Sequence, residues 1–88
     1  MPIEVRSREE FLRVVERAEE CRVKESTRRI EGDGGSKRVR VLKIKARTKR
    51  YLYTIVFENV DEGIEFAKSI KDKCKSMVIV DSHLQGRI

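Results

Sequence analysis

The chain has 88 residues, 41% of them charged and 39% apolar, and its 21 Lys plus Arg exceed its 15 Asp plus Glu by a formal net charge of +6. A domain of this size removes only about two thirds of its unfolded surface from water, so the composition predicts one thin core and no second layer to enclose a small-molecule substrate. There is no apolar run near the ~20 residues of a membrane span, and Met1 to Arg6 lacks the basic-then-apolar pattern of a secretion signal, so a soluble, intracellular protein with no membrane partner is expected.

Ser7-Arg8-Glu9-Glu10 fits a capping box and opens a helix over about Arg8 to Glu20, with Phe11, Val14, Val15 and Ala18 on its apolar stripe. Cys21-Arg22-Val23-Lys24 begins an alternating strand that runs through Thr27 to Ile30. Glu31-Gly32-Asp33-Gly34-Gly35-Ser36 is the strongest turn signal in the chain and predicts an exposed hairpin loop. A phosphate-cradling loop would need a Lys-Ser/Thr ending and a following helix, whereas strand residues follow here. Lys37 to Ala46 is rich in β-branched residues but changes phase, with Val39 and Val41 on one parity and Leu42, Ile44 and Ala46 on the other. A bulge near Val41-Leu42 would place all five on one apolar face, leaving Lys43, Lys45 and Arg47 on the opposite face together with Arg38 and Arg40.

Arg47-Thr48-Lys49-Arg50 reads as the connection to Tyr51–Phe57, whose apolar side chains at nearly every position predict a central strand covered on both sides. Asn59 caps a second helix, with Glu62 placed to complete its capping box and Val60, Ile64, Ala67, Ile70 and Cys74 on its apolar stripe. Gly63 either weakens the first turn or permits close approach to the sheet. Met77-Val78-Ile79-Val80 is a short last strand. These elements make one domain over residues 1–80, an α+β fold of order α-β-β-β-α-β with two helices on one face of a small antiparallel sheet. Residues 81–88 form an aperiodic tail that would order against a partner.

The charge is not evenly spread. Residues 1–20 carry −2, residues 21–36 carry +1 and residues 51–88 carry −1, while Lys37 to Arg50 holds eight cations and no acid. Lysine on a strand edge discourages aggregation, but eight cations exceed that need and point to a polyanionic partner. Outward cations on a strand repeat every ~6.6 Å, close to the spacing of phosphates along a nucleic-acid chain. Tyr51 and Tyr53 either stack on unpaired bases or belong to the core with their hydroxyls at its rim. Cys21, Cys74 and the single His83 form no metal-ligand spacing, so no metal or cofactor is expected and both cysteines read as small, reduced core residues. No nucleophile has an evident base, so an enzyme is not expected. The scarcity of amides, one Asn and one Gln among many Glu, Lys and Arg, is the bias of thermophile proteins.

The stretch Lys43-Ile44-Lys45-Ala46-Arg47-Thr48-Lys49-Arg50-Tyr51-Leu52-Tyr53-Thr54-Ile55-Val56 resembles the signature of ribosomal large-subunit protein thirty-eight, a family of eukaryotic and some archaeal ribosomes. Glu10-Phe11-Leu12 and Arg22-Val23-Lys24 agree with its flanks. The resemblance implies a structural ribosomal constituent with large-subunit rRNA and neighbouring ribosomal proteins as partners. It matches Lys43, Lys45, Arg47, Arg50, Tyr51 and Tyr53 as candidate RNA contacts, to which the charge run adds Arg38, Arg40 and Lys49. The chain departs from the family in its larger 31–36 loop, in its tail beyond Asp81 and in Thr48, where a cysteine is common. The Alu-domain proteins of the signal recognition particle are similar in element order without a matched motif. A protein interaction module with an acidic partner is the alternative class.

Overall fold

The Ser7 side chain accepts a hydrogen bond from the Glu10 amide at 3.4 Å and Asn59 accepts from the amides of Asp61 and Glu62 at 3.0 and 3.3 Å, so both helices begin at the residues whose side chains satisfy orphan amides. The computed structural model describes residues 2–32 and 34–88. Along the chain these form β1 (Pro2–Glu4), α1 (Arg8–Arg17), β2 (Glu20–Gly32), β3 (Gly35–Arg47), β4 (Leu52–Phe57), α2 (Val60–Ile70), β5 (Met77–Ile79) and α3 (Ser82–Gln85). The sheet order is β1-β4-β3-β2-β5.

The fold is α+β with the helices on one face of the sheet, but two features of the expected architecture need correction. The sheet is mixed: β2, β3 and β4 pair antiparallel, whereas β1 joins β4 and β5 joins β2 in parallel. The order also gains β1 and α3. At three and four residues, β1 and α3 are too short to show a period, and unlike β5 neither lies in a continuous apolar run; their partners define them. Val5 follows β1 and donates to the Thr54 carbonyl at 2.7 Å, and α3 carries Leu84, which is fully buried in the core. Thus the aperiodic C-terminal segment folds back onto its own domain.

β2 and β3 pair without interruption from Glu20↔Arg47 to Gly32↔Gly35. No bulge interrupts them, and the strands run through most of the expected 31–36 loop; Asp33 lies outside the described residues. Gly35 has a φ of 108°, a left-handed conformation that favours glycine. The phase change at Val41 has another origin. Leu42, Ile44 and Ala46 face the helices, while Val41 faces the other way and is nonetheless fully buried outside the main core cluster. Its neighbours there include Lys24, Arg28 and Lys43, long side chains whose aliphatic stems can close over a valine.

Cys21, Val23, Leu42, Ile44, Ala46, Ile55 and Phe57 form the sheet's half of the core, against Phe11, Val14 and Val15 of α1 and Ile64, Phe66, Ala67 and Ile70 of α2. The Phe66 ring lies 5.2 Å from that of Phe57 and 6.0 Å from that of Phe11, joining both helices to the sheet. Gly63 serves close approach: a Cβ there would sit 2.9 Å from Leu42 Cβ and 3.1 Å from Phe57 Cβ. As expected, β4 is an interior strand, lying between β1 and β3, but it is not covered on both faces, because Leu52, Thr54 and Val56 are only half-buried on the side away from the helices.

The cysteines also differ from expectation. Cys21, at the start of β2, and Cys74, just beyond α2, have Cα atoms 6.2 Å apart and form a disulfide. A separation of 53 residues leaves no local trace of that proximity. Closing a loop of this length contributes about 4 kcal/mol in the chain-entropy account. Reductant should therefore lower the unfolding free energy by about that amount in denaturant titrations; identical curves with and without reductant would show that the thiols are unpaired.

Candidate nucleic-acid interface

Because side chains alternate along a strand, the uninterrupted β2–β3 register determines which cations share a face. On the face away from the helices, β3 presents Lys43, Lys45 and Arg47, and β2 presents Arg22 and Lys24; Arg28 has the same parity but lies farther along β2, where it pairs only with β3. Lys24 stands directly opposite Lys43, and Arg22 opposite Lys45. Like charges so placed have Cβ atoms about 5 Å apart and repel. Arg22 has a partial remedy, since its Nε donates to Glu20 at 2.7 Å. Lys24, Lys43, Lys45 and Arg47 make no ion pair with any described residue.

These side chains, with Arg22, Leu52 and Val80, line a shallow depression of about 440 Å³ in which Glu20 is the one acid. Lys43 and Lys45 are half-buried, their stems lying on the sheet while their ammonium groups reach outward. Across the ladder Lys43 stands opposite Val56 and Lys45 opposite Thr54, so the cationic strand borders the half-buried side chains of β4.

At the end of this face, Thr48 closes the basic turn. Its amide and its hydroxyl both donate to the Tyr51 carbonyl at 2.9 Å, and the hydroxyl accepts from the Tyr51 amide at 3.2 Å. The turn exposes Lys49 and Arg50, extending the cationic face past Arg47. Thr48 was visible in the sequence only as a departure from the resembled pattern; its role depends on contacts within the turn.

The remaining candidates lie elsewhere. Tyr53 pairs with Ala46 and packs at the rim of the core on the helix side. Tyr51 is 43% exposed, with its ring 6.0 Å from that of Tyr53 in an edge-on arrangement. Without the bulge, Arg38 and Arg40 share the parity of Leu42 and project to the helix side, and Arg40 lies 3.5 Å from Glu25. Sequence reasoning missed Arg22, Lys24 and Arg28 because acids at Glu20 and Glu25 make β2 look balanced along the chain. Alternation was the available signal: Glu25 belongs to the other face and pairs there with Arg40 and His83.

A continuous cationic face on a small α+β domain is common to many RNA-binding proteins, so comparison with known proteins decides the family. The model of the Ribosomal L38e protein family matches residues 1–77. The chain belongs to this family. It is 46% identical over 78 residues to the Large ribosomal subunit protein eL38 of Aeropyrum pernix, an alignment covering 89% of this chain and 97% of that protein. Membership makes it a structural constituent of the ribosome, hence a cytoplasmic protein and not an enzyme. The family match ends at Met77, so most of β5 and all of α3 lie beyond it.

Replacing Thr48 by Val keeps the β-branch and removes the hydroxyl that closes the turn. A loss of about 1 kcal/mol in unfolding free energy is expected by denaturant titration; an unchanged value would show that the turn holds without it.

Proposed function

We propose that this chain binds the rRNA of the large ribosomal subunit through the open face of its sheet and the turn beside it. Lys43, Lys45 and Arg47 form the centre, Arg22 and Lys24 the flank, and Lys49 and Arg50 the rim. The observation that carries this reading is the direct opposition of Lys24 to Lys43 and of Arg22 to Lys45. Their repulsion weakens the free fold and becomes attraction to a common partner once phosphates lie across both strands. The family and its Aeropyrum pernix member agree with that partner.

Binding of this kind draws on counterion release and on the fit of a flat cationic surface to RNA backbone. Lysines supply point charges, while Arg47 and Arg50 offer forked donors to phosphate oxygens. The helix side is more nearly balanced in charge: Arg8 contacts Glu62 at 3.2 Å and Arg87 contacts Asp61 at 3.0 Å. That surface suits neighbouring ribosomal proteins, and Tyr51 at its edge can contact either protein or an unpaired base.

If about five phosphates are neutralised, log affinity for large-subunit rRNA should fall against log salt with a slope of roughly −3.5 to −4.5. Arg47→Ala should reduce the magnitude of that slope by about one. Filter binding across a salt series tests both, and an affinity independent of salt would contradict the proposal.

A further inference from the structure

The β2–β3 hairpin outruns the sheet. The last pairing of β3 with β4 is Leu42↔Phe57, and the last of β2 with β5 is Val23↔Ile79. From Ser26↔Val41 to Gly32↔Gly35 the two strands pair only with each other over seven rungs, a two-stranded arm about 23 Å long. It contributes to a molecule whose longest dimension is 43 Å.

The arm is cationic on both faces. Arg29 and Arg38 stand directly opposite each other on the face continuous with the helix side, while Arg28 and Lys37 project from the face continuous with the open sheet. All four are exposed. Arg29, Lys37 and Arg38 make no ion pair with a described residue, and Arg28 has only an exposed contact with Glu58 at 3.8 Å. Among the described residues of the arm, Glu31 is the one acid, on the Arg29 face. The Arg29–Arg38 opposition repeats, on the other side of the ribbon, the arrangement of Lys24 and Lys43. A ribbon lying on one surface would have one of these cationic faces turned to solvent.

Resting on the rRNA reading above, we infer that the arm inserts between two separate segments of rRNA backbone, with Arg29 and Arg38 on one and Arg28 and Lys37 on the other. Its composition favours RNA over a protein groove: residues 26–41 contain no aromatic residue to act as a buried anchor, and phosphates neutralise both faces at once. The strand twist rotates the two faces together, so they remain opposed along the arm.

The test uses two double variants of the full chain, Arg29→Ala with Arg38→Ala and Arg28→Ala with Lys37→Ala. Each is assembled into large subunits for hydroxyl-radical footprinting of the rRNA. All four positions are exposed and the backbone ladder is untouched, and circular dichroism checks that each variant folds. Each variant should lose protection at a different rRNA segment, keep the protection due to the open sheet face, and lower the salt slope by about two. Loss at one shared segment, or no loss in either variant while sheet-face protection persists, would overturn the two-sided arm and leave the sheet-face reading standing. Cross-linking of the arm to a protein neighbour with the footprint unchanged would do the same. Wild-type protein that protects no rRNA would overturn both readings.

Discussion

The unbroken pairing of β2 with β3 is the constraint on which the electrostatics of this protein depend. Side chains alternate with a period of two, so a slip of one residue would exchange the two faces. It would bring Lys43 and Lys45 toward the helices and turn Leu42 and Ile44 out to water. The buried set resists that slip: Leu42, Ile44 and Ala46 are fully enclosed with Cys21 and Val23 on the adjoining strand. Burial of the apolar parity thus holds the cationic parity in place. The same register carries on into the arm, where Arg29 and Arg38 fall on one side and Arg28 and Lys37 on the other.

The proposed interface sets local stability against binding. Opposed cations on neighbouring strands are mildly destabilising, on the order of 0.5 kcal/mol per exposed pair, and a sheet selected only for stability would alternate their signs. Here the cost is tolerated because the other face is well secured. Three phenylalanine rings join both helices to the sheet, Gly63 lets α2 approach Leu42, and the Cys21–Cys74 bridge ties the start of β2 to the segment after α2. The helix layer supplies most of the apolar burial, which leaves the opposite layer free to be defined by charge.

Both main helices, their caps and the four strands β2 to β5 were legible in the sequence because each rests on local patterns: Ser7 before Glu10, Asn59 before Glu62, and apolar residues at helical or alternating spacing. The family was legible from the run Lys43 to Val56. What escaped depended on contacts between distant residues. β1 and α3 exist through Thr54 and through the core site filled by Leu84, and the disulfide joins residues far apart in the chain. Val41 misled the face assignment because an apolar residue buried beneath cationic stems looks, in sequence, like a core residue out of phase. The same pattern puts Arg38 and Arg40 on the side of Lys43, whereas the continuous register puts them on the side of Leu42. Arg22 and Lys24 are inconspicuous along the chain, where Glu20 and Glu25 balance them, because their repulsive partners lie across the sheet.

If RNA lies across both strands, opposed cations are unfavourable in the free protein and favourable in the complex, and Lys24→Glu separates the two. The substitution puts a carboxylate opposite Lys43 at an exposed position with no other ion pair. Denaturant titration of the free protein, paired with retention of the variant on large subunits through a salt wash, should show stability rising by about 0.5–1 kcal/mol while retention falls. A variant that is less stable than the wild type yet retained equally well would contradict the account.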